Sequence, residues 1–255
     1  MKVLDGACRV FRPGEGEIYT QGNWTSRTLI SRKTGAQHIA QRVNEYSEGR
    51  SPAVVNPAAE EVLYVAGGSG VCRVNGLTCA LEPRTGIYIP AGTAYEVENR
   101  GPQKLVLIGV CCPDDESRRI LEGREAAAKR ASAAETAPPE LVVREQNRQP
   151  MKAGSDRKFW LLVDKDSGCH QITQFVGFIP PSKAPFHYHT YEEAIYILEG
   201  AGIVHTENSS CEYGPGTCIF LPIGVRHCLE NPGPEPVRLL GVFYPSGSPA
   251  ASYEH

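Results

Sequence analysis

The sequence predicts an all-β chain made of two related halves. The chain has 255 residues, and its 26 glycines and 20 prolines favour many short strands separated by turns. An offset of 132 residues places Gly200 and Pro222 on Gly68 and Pro90, which indicates an internal duplication. A stretch of different composition, rich in alanine and charged residues, separates the halves. We therefore expect two tandem β-domains joined by a linker.

The duplication continues upstream of these positions with an offset of 133. This offset places Gly168 and Gln174 on Gly35 and Gln41. One residue has therefore been gained or lost in a loop between the two parts of the repeat. The predicted domains are an N-terminal domain at 1–112, a linker at 113–149 and a C-terminal domain at 150–255.

The linker has the composition of a solvated segment. Residues 125–135 are mostly Ala, Glu, Lys and Arg, which gives high helix propensity, whereas large apolar residues are nearly absent after Leu121. We expect one solvated helix followed by an extended stretch. The mixed charges favour a solvated face over a site for a partner.

A cluster of potential metal ligands lies in the second half. His187 and His189 share one face of a strand because they are two residues apart, and Glu193 keeps that parity across a short bend. A Pro-x-Gly turn directs His227, from a later strand, toward the same interior. Neutral imidazoles and a carboxylate suit a divalent first-row metal such as Mn, Fe, Ni or Zn.

The spacing around these four residues resembles that of the cupin family. The two cupin motifs, G-x5-H-x-H-x3-4-E-x6-G and G-x5-P-x-G-x2-H-x3-N, are matched at every position except the first glycine, where a residue near Ser182 stands. The resemblance implies two tandem jelly-roll β-barrels, a bicupin, with the four residues as metal ligands on the inner wall of the second barrel. It also implies one divalent transition metal as cofactor, Mn or Fe, with Ni or Zn as further candidates.

The first half lacks most of this ligand set. By the same offsets, the residues at the four corresponding positions are Val55, Pro57, Glu61 and Tyr95. One carboxylate cannot hold a metal by itself. The N-terminal barrel is therefore predicted to be structural and metal-free, or to bind something without metal.

Strand parity supplies further candidates for a substrate pocket around the metal. These candidates are Gln174, Ile195, Ile197, Phe186 and Phe243. The two isoleucines and Phe243 are expected to form an apolar wall, and Phe186 flanks the ligands near the expected mouth. Gln174 could present its amide to a substrate, but its recurrence as Gln41 favours a hydrogen bond to a neighbouring group.

Composition limits the partners and the compartment. A net charge of −3, with no basic run interleaved with aromatic residues, gives no footprint for nucleic acid. No apolar run reaches the roughly 18 residues needed to cross a membrane. The nine cysteines are odd in number and irregularly spaced, and no signal segment opens the chain, so we expect a cytoplasmic protein with reduced thiols.

The N-terminal arm bears on assembly. Residues 1–20 have no recognisable counterpart just before the second barrel in the sequence. Arms of this kind in cupins add strands to a neighbouring barrel. We therefore expect the arm to pair either with the second half of its own chain or with another subunit of a homodimer.

The expected function is that of a metal-dependent enzyme with a small-molecule substrate. Three His and one Glu leave two positions of an octahedron open, enough for a bidentate substrate or for substrate plus dioxygen. The leading hypothesis is an Fe(II) or Mn(II) dioxygenase acting on a small oxygenated metabolite. One alternative is an oxygen-independent hydrolase, isomerase or lyase, with a layout similar to ureidoglycine aminohydrolases. The other is a non-catalytic sensory or storage cupin.

Overall fold

The computed structural model describes residues 1–74, 76–114, 117–122, 141–153 and 156–250. The regular structure of these residues is almost entirely β, with only short 3-10 turns at Asp5–Ala7, Arg32–Thr34, Glu145–Asn147 and Lys165–Ser167. This confirms the all-β prediction.

The first half and the linker contain fifteen strands among the described residues. They are β1 (Lys2–Val3), β2 (Arg9–Phe11), β3 (Glu17–Gln21), β4 (Trp24–Ile30), β5 (Ala40–Tyr46), β6 (Gly49–Arg50), β7 (Ala53–Val55), β8 (Glu60–Gly67), β9 (Gly70–Val74), β10 (Leu77–Leu81), β11 (Thr85–Ile89), β12 (Ala94–Asn99), β13 (Leu105–Cys112), β14 (Arg119–Leu121) and β15 (Val142–Arg144).

The second half repeats most of these strands in the same order. They are β16 (Met151–Ala153), β17 (Arg157–Val163), β18 (Thr173–Ile179), β19 (Ser182–Lys183), β20 (Glu192–Glu199), β21 (Gly202–Thr206), β22 (Ser210–Tyr213), β23 (Cys218–Leu221), β24 (His227–Asn231) and β25 (Val237–Tyr244). The bounds of β8 and β20 differ by 132 residues, whereas those of β5 and β18 differ by 133. The duplication read from the sequence is therefore a duplication of the fold.

Each half is a jelly roll of two antiparallel sheets. In the N-terminal barrel, a sheet in the order β15-β11-β8-β13-β5-β4-β3 faces one in the order β10-β9-β12-β7-β14, with β6 paired to β12. In the C-terminal barrel the orders are β1-β2-β23-β20-β25-β18-β17-β16 and β19-β24-β21-β22. The prediction of two tandem jelly-roll domains is confirmed.

The two halves exchange their leading strands. β2 pairs with β23 of the second half, with Val10 opposite Ile219. β15 pairs with β11 of the first half, with Val142 opposite Ile87. The 132-residue offset places Val10 on Val142 and Ile87 on Ile219, so the two strand pairings are equivalent in the repeat. The arm therefore joins the second half of its own chain, and β15 is its counterpart, which the sequence did not reveal because the segment is only three residues long.

An apolar core joins the two barrels across this exchange. It contains buried side chains from both halves, including Ile30, Ile108, Val176 and Phe220. Along β18, even-numbered side chains enter this shared core, whereas Phe175 and others at odd positions enter the separate core of the C-terminal barrel. The face of a strand thus decides whether a residue serves the interface or the barrel interior.

Two buried glutamates fasten each barrel to a loop of the other. The carboxylate of Glu192 accepts hydrogen bonds from the backbone N–H groups of residues 37–39, at 2.7 to 3.0 Å. Glu60, its repeat equivalent, accepts from the backbone of Gln171 at 2.9 Å and from the hydroxyl of Tyr88 at 2.8 Å. Hydrogen bonds to a charged acceptor each stabilise by about 1.5 to 3 kcal/mol, so the two carboxylates hold the halves in register.

The described parts of the linker are more ordered than the sequence predicted. The expected solvated helix falls on 125–135, outside the described residues. On either side of it, β14 pairs with β7 and β15 pairs with β11, both in the N-terminal barrel. The extended linker stretch is therefore partly built into a sheet. Within the described residues, no helix has the length and apolar character of a membrane span.

Replacing Glu192 should weaken the whole molecule. Glu192→Gln keeps the side-chain volume but removes the charge that three backbone N–H groups share. We expect the free energy of unfolding to fall by about 2 to 4 kcal/mol, measured by urea denaturation. Glu212→Gln, at an exposed position of β22, is the control. Equal stability of the two variants would show that the carboxylate does not fasten the halves.

Candidate metal centre

Three histidines converge inside the C-terminal barrel. One ring nitrogen from each of His187, His189 and His227 lies within 4.8 Å of the other two. His187 and His227 form an isolated antiparallel bridge, with backbone N···O distances of 3.0 and 2.9 Å. The carbonyl of His189 accepts from the N–H of Gly224 at 2.9 Å, which ties the ligand strand to the Pro-x-Gly turn. The backbone itself therefore brings the three rings together.

Backbone carbonyls fix the tautomers of two of these rings. Nδ1 of His187 donates to the carbonyl of Pro185 at 3.0 Å, and Nδ1 of His227 donates to that of Val225 at 2.8 Å. Because a carbonyl can only accept, each Nδ1 carries the proton, and each Nε2 keeps its lone pair. Such bonds orient histidine ligands in metal sites.

Electrostatics keep His227 in its ligand form. Burial, together with the neighbouring His187 and His189, lowers the pKa of His227 to about 3. The ring is therefore neutral at physiological pH, as metal binding requires.

Glu193 of β20 lies beside these three rings, although its carboxylate is not part of the group whose donor atoms all lie within 4.8 Å of one another. Its carboxylate is buried, and Oε2 lies 3.7 Å from Nε2 of His189. Burial raises the pKa of Glu193 to about 8, because no cation among the described residues compensates its charge. A divalent ion among the histidines would supply that charge. The donor atoms, the tautomers and the uncompensated carboxylate therefore fit a metal.

The centre opens into a cavity of about 300 Å³. Its wall includes the four residues just described and apolar side chains of the barrel, among them Phe175, Ile195 and Leu239. The ring of Tyr191 stacks on His189 with centroids 4.4 Å apart and on Phe243 at 4.1 Å. This stacking restricts the orientation of the His189 ring.

The predicted pocket residues fall in different places. Ile195 lines the cavity. Ile197 and Phe243 are buried in the core of the same barrel, and Phe243 packs behind two rings of the cavity wall, Tyr191 and Phe175. Phe186 is half-buried and lies outside the cavity wall formed by the described residues. Its two neighbours in the chain, Pro185 and His187, both line the cavity.

Gln174 does not face the cavity. It is fully buried on the face of β18 that packs against the first half, where a Cβ on Gly86 would lie only 2.6 Å from its Oε1. The suggestion that its amide meets a substrate is therefore wrong. Gln41 occupies the equivalent place and accepts a hydrogen bond from the thiol of Cys218. The recurrence of a glutamine at this position in both halves was therefore a sequence signal of the interface between the two barrels.

The corresponding place in the N-terminal barrel is filled by a protein cation. Oε2 of Glu61 accepts from Asn56 at 2.6 Å and from the hydroxyl of Tyr95 at 3.0 Å. Nη2 of Arg118 lies 3.7 Å from Oε1 of Glu61 and donates to the Tyr95 hydroxyl at 3.1 Å. The guanidinium therefore compensates the buried carboxylate.

The other two positions of the first site offer no ligands. Val55 is buried in β7 opposite Arg119 of the linker, and Pro57 is exposed in a loop. Arg118 was missed by sequence reasoning, because it lies in the linker, outside the recognised repeat. The 132-residue offset places it on Ala250, which lines the open cavity of the second barrel.

Comparison with known proteins agrees with this architecture. The cupin domain model matches residues 45–111 and 175–243, which together make up more than half of the chain. The chain belongs to the cupin family. The two matches fall in the two barrels, so the protein is a bicupin.

Solved structures of oxalate decarboxylase from Bacillus subtilis resemble this bicupin. A mutant of that enzyme superposes with a TM-score of 0.77 at 15% identity, covering 96% of this chain and 78% of that one. The same enzyme at pH 4.6 gives a TM-score of 0.72 at 16% identity, covering 94% and 78%. At this identity the likeness shows the fold.

Matches to curated sequences are partial. An uncharacterized protein of Methanocaldococcus jannaschii is 40% identical over 65 residues, which cover 25% of this chain and 52% of that protein. L-ectoine synthase of Bordetella parapertussis is 31% identical over 90 residues, which cover 33% of this chain and 65% of that enzyme. The bicupin thus spans about half to two thirds of the length of these relatives.

Removing two ligands should abolish metal binding without unfolding the first barrel. For His187→Ala with His189→Ala, we expect the bound metal to fall from about one per chain to background, measured by mass spectrometry after dialysis against Mn(II). His205→Ala is the control, because His205 bonds to Glu230 at 2.7 Å, outside the centre. Unchanged metal content in the double variant would contradict the assignment.

Removing the internal cation should destabilise the N-terminal barrel. Arg118→Met leaves Glu61 buried without its counter-charge, and such a loss costs about 3 to 5 kcal/mol. Adding Glu61→Gln should recover part of that loss, which a double-mutant cycle in urea would measure. Strictly additive effects would argue against compensation of Glu61 by Arg118.

Proposed function

We propose that this bicupin is a metal-dependent enzyme that acts on a small oxygenated metabolite in the C-terminal cavity. The observation that carries the proposal is the convergence of three histidines on the wall of that cavity, which the buried Glu193 also lines. The N-terminal barrel, with Arg118 beside Glu61, serves as a scaffold.

In this proposal the residues around the cavity have two roles, metal binding and exclusion of water. Nε2 of His187 and His227 are presented as ligands because their Nδ1 atoms are held by carbonyls. Together with His189 and Glu193 they would hold a divalent ion, whose chemistry when bound would be to polarise substrate oxygens and stabilise developing negative charge. Phe175, Ile195 and Leu239 limit water around the reacting atoms and thereby strengthen the electrostatic interactions there.

Mn and Fe are the proposed metals, and Ni or Zn would also suit the donor set. The solved structures of Bacillus subtilis oxalate decarboxylase include one whose title names Mn(II) centres in that enzyme. This supports manganese as the first metal to test.

A dioxygenase is the finer proposal for the reaction. The support is the ligand number, which leaves room for substrate and dioxygen together, and the apolar wall of the cavity. An oxygen-independent reaction is the second candidate. Its support is that two relatives are named as a decarboxylase and a synthase and not as dioxygenases.

We also propose that the protein works as a cytoplasmic bicupin without nucleic-acid or membrane partners. The support is the net charge of −3 and the nine cysteines, all free and eight of them buried. A homodimer remains part of the proposal, although the N-terminal arm is used within the chain.

An anaerobic assay separates the two reactions. Metal-loaded protein is incubated with a library of small hydroxy-, keto- and carboxylic acids, and products are followed by NMR with and without dioxygen. If the protein is a dioxygenase, we expect turnover only with dioxygen. The His187→Ala, His189→Ala variant serves as the inactive control. Turnover that persists without dioxygen supports the second candidate. Ligands that stabilise the protein and yield no product would contradict both.

A further inference from the structure

Arg157 places a half-buried positive charge at the wall of the cavity. The residue opens β17, and its Nη2 donates to the carbonyl of Leu229 at 2.6 Å. Its Nε is buried and has no hydrogen-bond partner in the part of the chain that the structure describes. This half-buried guanidinium therefore keeps donors, Nε among them, that a ligand could use.

No carboxylate among the described residues forms an ion pair with Arg157. Lys183, also on the cavity wall, pairs with Glu230 at 3.2 Å. The neighbouring Asp156 is exposed, and burial lowers the pKa of Arg157 because desolvation outweighs the effect of nearby acids. A partly desolvated charge without a counter-ion is unfavourable, so this site favours an anion.

The guanidinium lies within reach of the metal centre. Leu229, whose carbonyl it holds, is two residues from His227 on β24, a separation of about 6.6 Å along a strand. A molecule of a few heavy atoms can therefore touch both sites at once.

We propose that Arg157 binds the carboxylate of the substrate, while an oxygen at the other end of the molecule faces the three histidines. This deepens the proposed function and depends on it. One guanidinium balances one negative charge, and its planar fork matches a carboxylate. The second half alone has this feature, since the equivalent position in the first half is Trp24, whose ring lies 5.4 Å from the guanidinium carbon of Arg118.

A charge-matched pair of probes tests the proposal. Glycolate and glycolamide have nearly the same shape, and only glycolate carries a negative charge. Binding of both to the Mn(II)-loaded protein is measured by calorimetry for the wild type, Arg157→Met, Arg157→Lys and Lys158→Met. Lys158 is the matched control, because it is the adjacent exposed cation on the same cavity. Metal content and melting temperature are measured for each variant.

The wild type should prefer glycolate over glycolamide by about 10- to 100-fold, the effect of a charge-assisted pair. Arg157→Met should remove most of that preference, Arg157→Lys should keep part of it, and Lys158→Met should leave it unchanged. A merely structural Arg157 would alter the melting temperature but not this ratio. No preference in the wild type, or one that survives Arg157→Met at full metal content, overturns the proposal. Failure to load metal would instead count against the proposed function.

Discussion

The molecule depends on a reciprocal exchange between its two barrels. Each half gives its leading strand to the sheet of the other, and each buries a glutamate, Glu60 or Glu192, against backbone N–H groups of the other. The sheet that carries Glu193 is extended at one edge by β2 from the first half. Since β2 reaches β20 through β23, the metal centre rests on a sheet that neither half completes alone. The duplication therefore produced an interdependent pair of domains.

A second constraint is the charge of one buried glutamate at the same place in both barrels. Glu61 is compensated by Arg118, which reaches in from the linker. No such cation accompanies Glu193 in the part of the chain that the structure describes, and the position equivalent to Arg118 is Ala250 on the wall of an open cavity. The two barrels thus satisfy the same electrostatic requirement in different ways, one with a guanidinium and one with three histidines that can hold a metal.

Local spacing explains what the sequence could predict. The strand parity of His187 and His189, the turn before His227 and the 132-residue offset are properties of short segments, and the structure brings the three histidines together. Gln174 was assigned to the cavity in error. Strand parity separates the two faces of a strand, but it does not show which face packs against the other half. Arg118 and Arg157 were missed because their roles depend on long-range packing that no local pattern encodes. Arg118 also lies where the repeat is hidden by the linker.

Anomalous diffraction at the manganese edge, from crystals of the full chain grown with Mn(II), tests most directly whether the two barrels differ in this way. We expect one peak per chain, among His187, His189, Glu193 and His227, and guanidinium density from Arg118 beside Glu61. A peak beside Glu61, or no peak among the histidines at saturating Mn(II), would contradict it.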